Sequence, residues 1–472
     1  MRRKIILLFM ACLMILLFLA GCEKKEVSRG ADVALTDAQV EDIVRRSYQY
    51  VALYNVIQKG AFDATNPAST GGFNKMMVAT QLYDHNVKVI ARPNNDTLYI
   101  SCGMDLRKDP VILEIPAFDS KYVSLMSFGY DHIVNVPLTT RLGDFHKPER
   151  ILFYTQRTQG YIGEAIEGVD RVFEVTSDFA GAVFRVMPHA NNPERFQRIV
   201  DQMQSVRMMT LAEYQGGEAK TIDDIPFPPF GKTDADIFGG NLLEVMQFIF
   251  NHITLDSDDD IDRGVLAAYK PLGLEPGKIY DASRTVRIDE KKFRTMAQKV
   301  QKENFDIVTA GDFSKYAPRI FRPKGENDLE AMVLVSVVGP IGLPVEEAAY
   351  PAVTTADGRP MNAMNDYVIS MKKDELPPAR AFWSLTLYDM QNGFFIPNER
   401  KKYSVGENAG MKLNDEGGID IYVAAGKPEG VPSENWLPIN RKDENIDIIL
   451  RIYVPDLEKM KIWQAPKAEM IK

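Results

Sequence analysis

One short stretch of the sequence gathers side chains that suit polar recognition. Residues 92–99 contain an arginine, two asparagines, an aspartate and a tyrosine, in a turn that Pro93 starts and that leads into a strand. An arginine suits an anionic group, whereas amides and a carboxylate bond to hydroxyl and amine groups. Asparagine and aspartate also bond to their own backbone, so a structural turn explains the same residues. The candidate ligand-binding residues are Arg92, Asn94, Asn95, Asp96 and Tyr99.

A second polar and aromatic group occurs in the last third of the chain. Its tryptophans and tyrosine stand beside amides and an acid. This combination suits a sugar or another amphipathic ligand, because aromatic faces stack while amides fix orientation. Packing in a hydrophobic core is the alternative for the aromatic members. The candidates are Trp383, Tyr388, Asp389, Asn398 and Trp436.

Three aspartates offer acid and base chemistry. Asp96 and Asp389 belong to the two groups above, and Asp131 adjoins a histidine. Two carboxylates catalyse hydrolysis when their surroundings separate their pKa values and hold both near one bond. Spacing along the sequence does not show which of the three lie close together. A hydrolase that uses them as acid and base therefore stays an alternative.

The sequence predicts no metal site and identifies no cofactor. Residues 256–262 carry carboxylates at the first, third and fifth positions of a calcium loop, but Ile261 occupies the glycine position and Ala267 the position of the last glutamate. A solvated acidic loop explains this run, with weak calcium binding as the alternative. Five histidines and three cysteines leave little material for a zinc cluster.

The start of the chain resembles the signal peptide of a bacterial lipoprotein. Arg2, Arg3 and Lys4 precede an apolar run over residues 5–20, which is shorter than the roughly 20 residues of a membrane-spanning helix. Small residues then lead to Cys22. The resemblance implies cleavage before Cys22 and its acylation through sulfur, and two or more acyl chains hold a protein stably on a bilayer. An uncleaved membrane anchor is the alternative.

We therefore expect an exported protein that is lipid-anchored at the bacterial cell envelope. Residues 1–21 form the signal peptide and residues 22–35 a tether in this interpretation. Glu23, rather than an aspartate, follows the lipidated cysteine. This resembles lipoproteins that move to the outer membrane where the host has one. Cys102 would remain as a single thiol, which excludes an intramolecular disulfide.

The composition is that of a folded, acidic protein of 472 residues, with 45% hydrophobic and 26% charged residues. A formal net charge of -9 is unfavourable for binding a phosphate backbone, so we expect no nucleic-acid partner. The expected partners are the membrane, through the lipid, and a small-molecule or glycan ligand. The oligomeric state stays open.

Helices and strands that would position these side chains can be predicted from residue periodicity. Thr36 and Gln39 form a capping-box pattern that predicts a helix at the start of the mature chain. Alternation with period two predicts strands over residues 97–102 and 446–454, and the apolar run over residues 332–338 predicts another strand.

These patterns divide the chain into three parts. Strands dominate residues 36–192, helical spacing dominates residues 193–319, and strands return over residues 320–472, where Asn392 and Gly393 indicate a hairpin turn. The predicted fold class is α+β, with two antiparallel β-sandwich or jelly-roll-like domains and a largely helical middle segment.

Two segments resemble catalogued families. Residues 73–209, centred on residues 92–99, resemble domain of unknown function 1254, and residues 350–456 resemble domain of unknown function 1214. The resemblance implies a β-sandwich-like domain at each end of a helical middle, often in exported bacterial proteins, and no established activity. Asp131 matches a polar position of the first family. The matching pieces of the second are residues 375–378, 381–389, 393–395, 398, 403–404, 421–423, 435–438 and 450–453.

We predict that the two β-rich domains form a pocket for a small or amphipathic ligand. Arg92 would pair with an anionic ligand group, Asn94 and Asp96 would make polar contacts, and Trp383 would supply apolar contact. One alternative is an envelope hydrolase acting on a glycan, lipid or ester. A non-catalytic scaffold is the other, and whether the protein is an enzyme stays open.

Overall fold

The computed structural model describes residues 30–88, 91–134, 136–309 and 315–471. The helices are α1 (Asp37–Phe62), α2 (Pro193–Gln204), α3 (Leu211–Tyr214), α4 (Asp234–Phe238), α5 (Leu242–His252), α6 (Asp260–Tyr269), α7 (Glu290–Thr309), α8 (Leu329–Val338) and α9 (Leu457–Met460). Short 3-10 turns lie at Thr140–Leu142, Lys270–Leu272, Ala317–Arg319 and Ser433–Asn435.

The strands fall into an N-terminal and a C-terminal group. The first group is β1 (Lys75–Val78), β2 (Leu98–Asp105), β3 (Val111–Ile115), β4 (Val123–Gly129), β5 (Pro137–Thr139), β6 (Glu149–Tyr154), β7 (Arg171–Glu174), β8 (Phe179–Val186) and β9 (Arg207–Thr210). The second is β10 (Ala348–Ala349), β11 (Ala352–Val353), β12 (Met361–Asn362), β13 (Tyr367–Met371), β14 (Ala379–Asp389), β15 (Ser404–Gly406), β16 (Ile419–Ala424), β17 (Trp436–Pro438), β18 (Asn445–Pro455) and β19 (Glu469–Met470).

The N-terminal strands form two facing sheets, with strand orders β1-β2-β8-β4-β5 and β7-β6-β3-β9. Pairing is antiparallel apart from β6 with β7. Alternate residues of β2 and β8, such as Ile100 and Phe184, pack against Leu113 of β3 and Phe153 of β6 in one core. Strand β2 confirms the alternation seen in the sequence. Cys102 lies in this core, where burial raises the pKa of its thiol to about 12.

Helix α1 lies at the centre of a helical layer that covers the other face of the first sheet. Its predicted capping box is present: the Gln39 amide donates to Thr36 Oγ1 at 3.3 Å, and the Thr36 amide donates to Gln39 Oε1 at 2.9 Å. Tyr54 of α1 belongs to a core shared with helices α4 to α8 and with Met126 and Phe128 of β4. The sheet is therefore buried on both faces along β4.

Residues 332–338 are helical, which differs from the strand predicted for them. Asp328 caps the start of α8 by accepting a hydrogen bond from the Ala331 amide at 2.9 Å, and the helix ends before Gly339. The run is apolar on every side and buried, so its periodicity does not distinguish a helix from a strand. The Asp328 cap and the packing against neighbouring helices favour the helix over the strand.

The C-terminal strands form a second pair of sheets around the long antiparallel partners β14 and β18. One sheet has the order β10-β18-β14-β15, with β11 and β12 also on β18, and the other has the order β17-β16-β13-β19. The predicted hairpin turn is present, because Gly393 has a φ of 70° and its amide donates to the Asp389 carbonyl at 2.9 Å. Antiparallel sheets and a helical middle confirm the α+β class.

Among the described residues, no helix combines the length and the apolar character that crossing a bilayer requires. Cys22 and the predicted signal peptide lie outside the described residues, so lipidation stays a prediction.

Candidate functional site

The polar turn of the N-terminal domain packs directly on one face of the C-terminal sheet. The Tyr388 hydroxyl of β14 donates to the Pro93 carbonyl at 2.6 Å. The Asn94 amide donates to the Tyr453 hydroxyl of β18 at 2.7 Å. Both tyrosines are fully buried. The two groups of residues that were far apart in the sequence therefore meet at the junction of the two β-rich domains.

Arg451 of β18 holds this junction together. It is only 5% exposed, and its guanidinium donates to Thr386 Oγ1 at 2.9 Å, to the Tyr388 hydroxyl at 2.8 Å and to the Arg92 carbonyl at 3.2 Å. The last bond crosses from one domain to the other. A buried guanidinium needs such donors satisfied, because it does not lose its charge in proteins.

Asp96 brings a carboxylate of the N-terminal domain into the same place. It is 1% exposed and accepts a hydrogen bond from Ser384 Oγ of β14 at 2.5 Å. Burial raises the pKa of Asp96, whereas the charge of Arg451 and the bond from Ser384 oppose that rise. Asp96 and Arg451 therefore compensate each other across the domain boundary.

Arg92 is engaged with the protein rather than free. Its guanidinium pairs with Asp447 of β18 at 2.9 Å, and its amide donates to the Gly393 carbonyl of the hairpin turn at 2.6 Å. The backbone of Arg92 is left-handed, with a φ of 52°. This conformation is uncommon for a residue other than glycine, and here the contacts on both sides maintain it.

Asn95 and Tyr99 lie at the rim of the same junction. Asn95 donates to the Tyr83 carbonyl at 2.6 Å and accepts from Ser404 Oγ of β15 at 3.1 Å. The ring of Tyr99 stacks on that of Tyr83, with centroids 5.7 Å apart and planes at 10°. Of the residues predicted from the first group, all five thus face the C-terminal domain or its edge.

The two tryptophans lie elsewhere. Trp383 and Tyr388 are five positions apart on β14, so their side chains point to opposite faces, and Trp383 packs inside the C-terminal sandwich. Trp436 donates from Nε1 to the Ala424 carbonyl at 2.8 Å and lies under Arg400, 5.4 Å from the ring centroid. Neither tryptophan contacts the polar turn.

Asp389 and Asn398 stabilise turns of the C-terminal domain. Asp389 accepts hydrogen bonds from the Asn392 amide at 2.6 Å and the Phe394 amide at 3.1 Å. Asn398 donates to the Lys402 carbonyl at 2.9 Å and accepts from the Lys402 amide at 3.0 Å. Such bonds from asparagine or aspartate side chains to nearby backbone groups stabilise turns, which is the structural explanation for these residues instead of ligand binding.

Asp131 lies in a third place, between the first sheet and the helical layer. Gln49 of α1 donates to its carbonyl at 2.9 Å, its Oδ1 accepts from the Ile133 amide at 3.2 Å, and a hydrogen bond with Thr176 also acts on its carboxyl group. Burial raises the pKa of Asp131 to about 6. The aspartates named for hydrolysis, Asp96, Asp131 and Asp389, thus have separate sets of partners.

Sequence reasoning missed the residues that complete the junction. Tyr350 lies opposite Arg451, as the pairs Ala349–Ile452 and Ala352–Ile449 on either side require. On the first sheet, Tyr99 lies opposite Arg185. A charged residue in the otherwise apolar strand β8 was the available signal for Arg185. For Arg451 and Tyr453 the available signal was that they alternate with the core isoleucines of β18, which places them on the face opposite the core.

Tyr350 is the part of the junction that solvent reaches. The residue is 42% exposed. Burial raises the pKa of its hydroxyl, while Arg185 and Arg451 lower it. Both arginines therefore act electrostatically on the Tyr350 hydroxyl, although the residue is partly open to solvent. In the described part of the chain, neither it nor the Tyr99 hydroxyl makes a hydrogen bond, although Tyr388 and Tyr453 do.

A cleft of about 440 Å³ opens along another edge of the domain boundary. Lys121, His189 and Arg195 line it from the N-terminal domain and Glu407 from the C-terminal domain. Lys121 and Glu407 form an ion pair at 2.7 Å. None of the residues predicted from the sequence lines this cleft.

The acidic run at residues 256–262 has structural roles. Asp259 caps α6 by accepting from the Ile261 and Asp262 amides at 2.9 Å and 3.0 Å, and Asp262 pairs with Lys324. Over the described ranges, no cluster of three or more histidine, cysteine, aspartate or glutamate side chains is arranged to hold a metal ion.

Replacing Arg451 should destabilise the whole molecule. In Arg451→Met, Asp96 keeps a buried charge without its counter-charge, and we expect the free energy of unfolding to fall by about 3–5 kcal/mol. The double variant Arg451→Met/Asp96→Asn should lose at least about 1 kcal/mol less than the sum of the single variants. Urea unfolding measures all three. Arg380→Met, which replaces an exposed arginine on β14, is the control. If the loss in the double variant equals the sum of the losses in the two single variants, Arg451 and Asp96 are not coupled.

Asp131→Asn should stabilise the protein above pH 6 and have little effect near pH 4. The pKa of Asp131 is raised from 3.8 to about 6, so the folded state binds the proton more tightly than the unfolded chain. Stability is then lost as pH rises between these two values, by about 3 kcal/mol in total, and the loss persists above them. Thermal unfolding from pH 4 to pH 8 measures this. An equal response in the exposed-residue control Asp258→Asn would contradict it.

Comparison with known proteins agrees with this two-domain arrangement. The model of the family described as Protein of unknown function (DUF1254) matches residues 73–210, and that of Protein of unknown function (DUF1214) matches residues 346–457. No curated protein matches the chain.

Solved structures include a protein of the same fold. The VPA0106 protein from Vibrio parahaemolyticus aligns with a TM-score of 0.70 at 22% identity, over 92% of this chain and 100% of that one. An uncharacterised protein from Burkholderia cenocepacia aligns with a TM-score of 0.40 at 13% identity, over 92% of this chain and 94% of that one. One chain thus contains a DUF1254 region at residues 73–210 and a DUF1214 region at residues 346–457.

Proposed function

We propose that this protein binds a small amphipathic ligand at the junction of its two β-rich domains, and that a lipid on Cys22 holds it at the bacterial cell envelope. The observation that carries the ligand proposal is a pair of unbonded phenols. Tyr99 from one domain and Tyr350 from the other make no side-chain hydrogen bond among the described residues, beside Tyr388 and Tyr453, whose hydroxyls are bonded.

Unbonded tyrosine hydroxyls at such a place favour a ligand. A phenol to which the protein gives no partner keeps its donor and acceptor capacity for a molecule that comes from solution. Tyr350 lies partly exposed, so a molecule from solution reaches it. A ligand that accepts hydrogen bonds from both hydroxyls and covers their rings would supply what the protein does not.

The surrounding apolar residues favour an amphipathic ligand over a fully polar one. Tyr122 and Met187 of the N-terminal domain pack with Phe382 and Tyr453 of the C-terminal domain in a small buried cluster. Phe382 and Tyr453 stack with centroids 4.2 Å apart. The junction thus places apolar rings beside polar groups, which is the usual lining of a small-molecule site.

The residues that bind the ligand differ in part from the first prediction. Arg92 pairs with Asp447, and Asn94 bonds to Tyr453, so both position the junction in this proposal rather than contact the ligand. Tyr99 and Tyr350 make the contacts. The hydrolase alternative gains no support, because the three aspartates named for it have separate surroundings.

The envelope location rests on the start of the sequence. A basic start, an apolar run over residues 5–20 and small residues before Cys22 are the features of a lipoprotein signal. A lipid-anchored protein remains at a membrane surface, where amphipathic molecules collect. The proposed location and the proposed ligand class are therefore compatible.

Removal of the two free hydroxyls should weaken ligand binding without affecting folding. In Tyr99→Phe/Tyr350→Phe we expect the affinity for Nile red, a neutral amphipathic dye, to fall about tenfold, as two hydrogen bonds are lost. The melting temperature should stay within about 2 °C of wild type, because no protein hydrogen bond is removed. Fluorescence titration and thermal unfolding measure these quantities.

Tyr388→Phe is the matched control, since its hydroxyl bonds to Pro93 and Arg451. This variant should lower the melting temperature. Absence of any Nile red binding to wild type, or equal binding to the double variant, would count against a ligand site at the junction.

Cys22→Ser should abolish lipidation. Cells grown with an alkyne analogue of palmitate should label the wild-type protein and leave Cys22→Ser unlabelled, because the sulfur that carries the acyl chain is missing. Cys102→Ser provides the control and should keep the label, since this thiol is buried in the N-terminal core. An unlabelled wild type would refute the anchor.

A further inference from the structure

Arg185 of β8 is a buried arginine without a counter-charge. The residue is only 5% exposed. Nη2 donates to the Ile341 carbonyl at 3.4 Å, a long bond, and Nη1 is buried without a partner. Across the described ranges of the chain, no carboxylate lies within ion-pair distance of Arg185.

Two other buried or half-buried arginines show what a satisfied guanidinium looks like here. Arg451 has three hydrogen bonds in the junction, and Arg157 pairs with Asp178 at 2.8 Å. Leaving a guanidinium out of water without such partners costs several kcal/mol. If Arg185 had only a structural role, an apolar residue in its place would make the protein more stable. The lack of a partner within the protein therefore indicates that a group from outside the protein pairs with Arg185.

Arg185 lies in the same place as the two free phenols. Its register partner on β2 is Tyr99, and directly opposite residues of an antiparallel pair point to the same face. The hydroxyl of Tyr350 lies in the field of Arg185 from the other side. One unpaired guanidinium and two unbonded hydroxyls, from two domains, therefore converge.

The acids of the junction are already engaged. Glu347 pairs with Arg141 at 2.5 Å and accepts from Thr139 at 2.8 Å. Asp96 accepts from Ser384 and lies beside Arg451. Neither forms an ion pair or a hydrogen bond with Arg185, so the positive charge of Arg185 has no counter-charge in the part of the chain that the structure describes.

We propose that Arg185 binds the carboxylate of a small amphipathic acid, with the Tyr99 and Tyr350 hydroxyls donating to the same group. The proposal rests on the ligand site proposed above and names its ligand class. A single uncompensated positive charge matches a monoanion. A dianionic phosphate would place a second negative charge near Asp96, which is unfavourable. Planar guanidinium and carboxylate groups also match in geometry.

Paired probes of one shape and different charge test this proposal. The mature protein is titrated with phenylacetate, its neutral amide phenylacetamide, and phenyl phosphate, by calorimetry. Wild type should bind phenylacetate at least tenfold more tightly than phenylacetamide, since hydrogen bonds to a charged group exceed those to a neutral one. In Arg185→Met, the affinities for the acid and the amide should agree within about twofold.

Arg92→Met tests the competing arginine of the junction, whose partner is Asp447. Arg380→Met is the control, because this exposed arginine pairs with Asp456 and has no role in the proposed site. Both variants should keep the preference for the acid. Without ligand, Arg185→Met should melt at the same temperature as wild type or higher, as a buried unpaired charge is removed. Arg185→Gln gives the same comparison of probes if the methionine variant folds poorly.

The possible failures are distinguishable. Equal binding of acid and amide to wild type, or no binding of either, would overturn the role of Arg185, while Nile red binding would still support the ligand site. Phenyl phosphate binding as tightly as phenylacetate, with both lost in Arg185→Met, would overturn the carboxylate class. Loss of acid preference in Arg92→Met but not in Arg185→Met would assign the anion to Arg92 instead.

Discussion

The buried guanidinium of Arg451 is the interaction on which the two-domain architecture depends. Its charge is permanent, so its donors need partners wherever the chain places it. Thr386 and Tyr388 supply two of them from the C-terminal sheet, and the Arg92 carbonyl supplies another from the N-terminal turn. Asp96 adds the opposing charge. The C-terminal domain alone therefore leaves Arg451 incompletely satisfied, and docking of the polar turn corrects this.

Burial of the first sheet on both faces explains why this docking is rigid. One face packs on the second N-terminal sheet, whereas the other faces helix α1 along β4 and the C-terminal domain near Tyr99 and Arg185. A strand with two covered faces cannot turn a residue toward solvent without exposing its neighbours. The polar residues on this sheet are thus fixed in position, which suits a preformed binding site.

Residue periodicity predicted much of the fold and less of the site. Strands β2 and β18 and helix α1 followed from alternation and capping, whereas the uniform run of α8 had no period to interpret. Tyr388 and the 92–99 turn came together as expected, but their mutual hydrogen bonds depend on register between distant strands. Trp383 and Tyr388 are an odd number of positions apart on β14, so their side chains lie on opposite faces of the sheet. Arg185 and Tyr350 depend on cross-strand neighbours that no local pattern reveals.

The contacts across the domain boundary also bear on how such a protein evolves. Buried groups of one family region find their hydrogen-bond partners in the other, as Tyr388 with Pro93 and Asn94 with Tyr453 show. Recombination that separated the two coding segments would leave both products with unsatisfied polar groups at a newly exposed surface. Selection for folding alone would then keep the two regions together as one heritable unit, whatever ligand each lineage came to use.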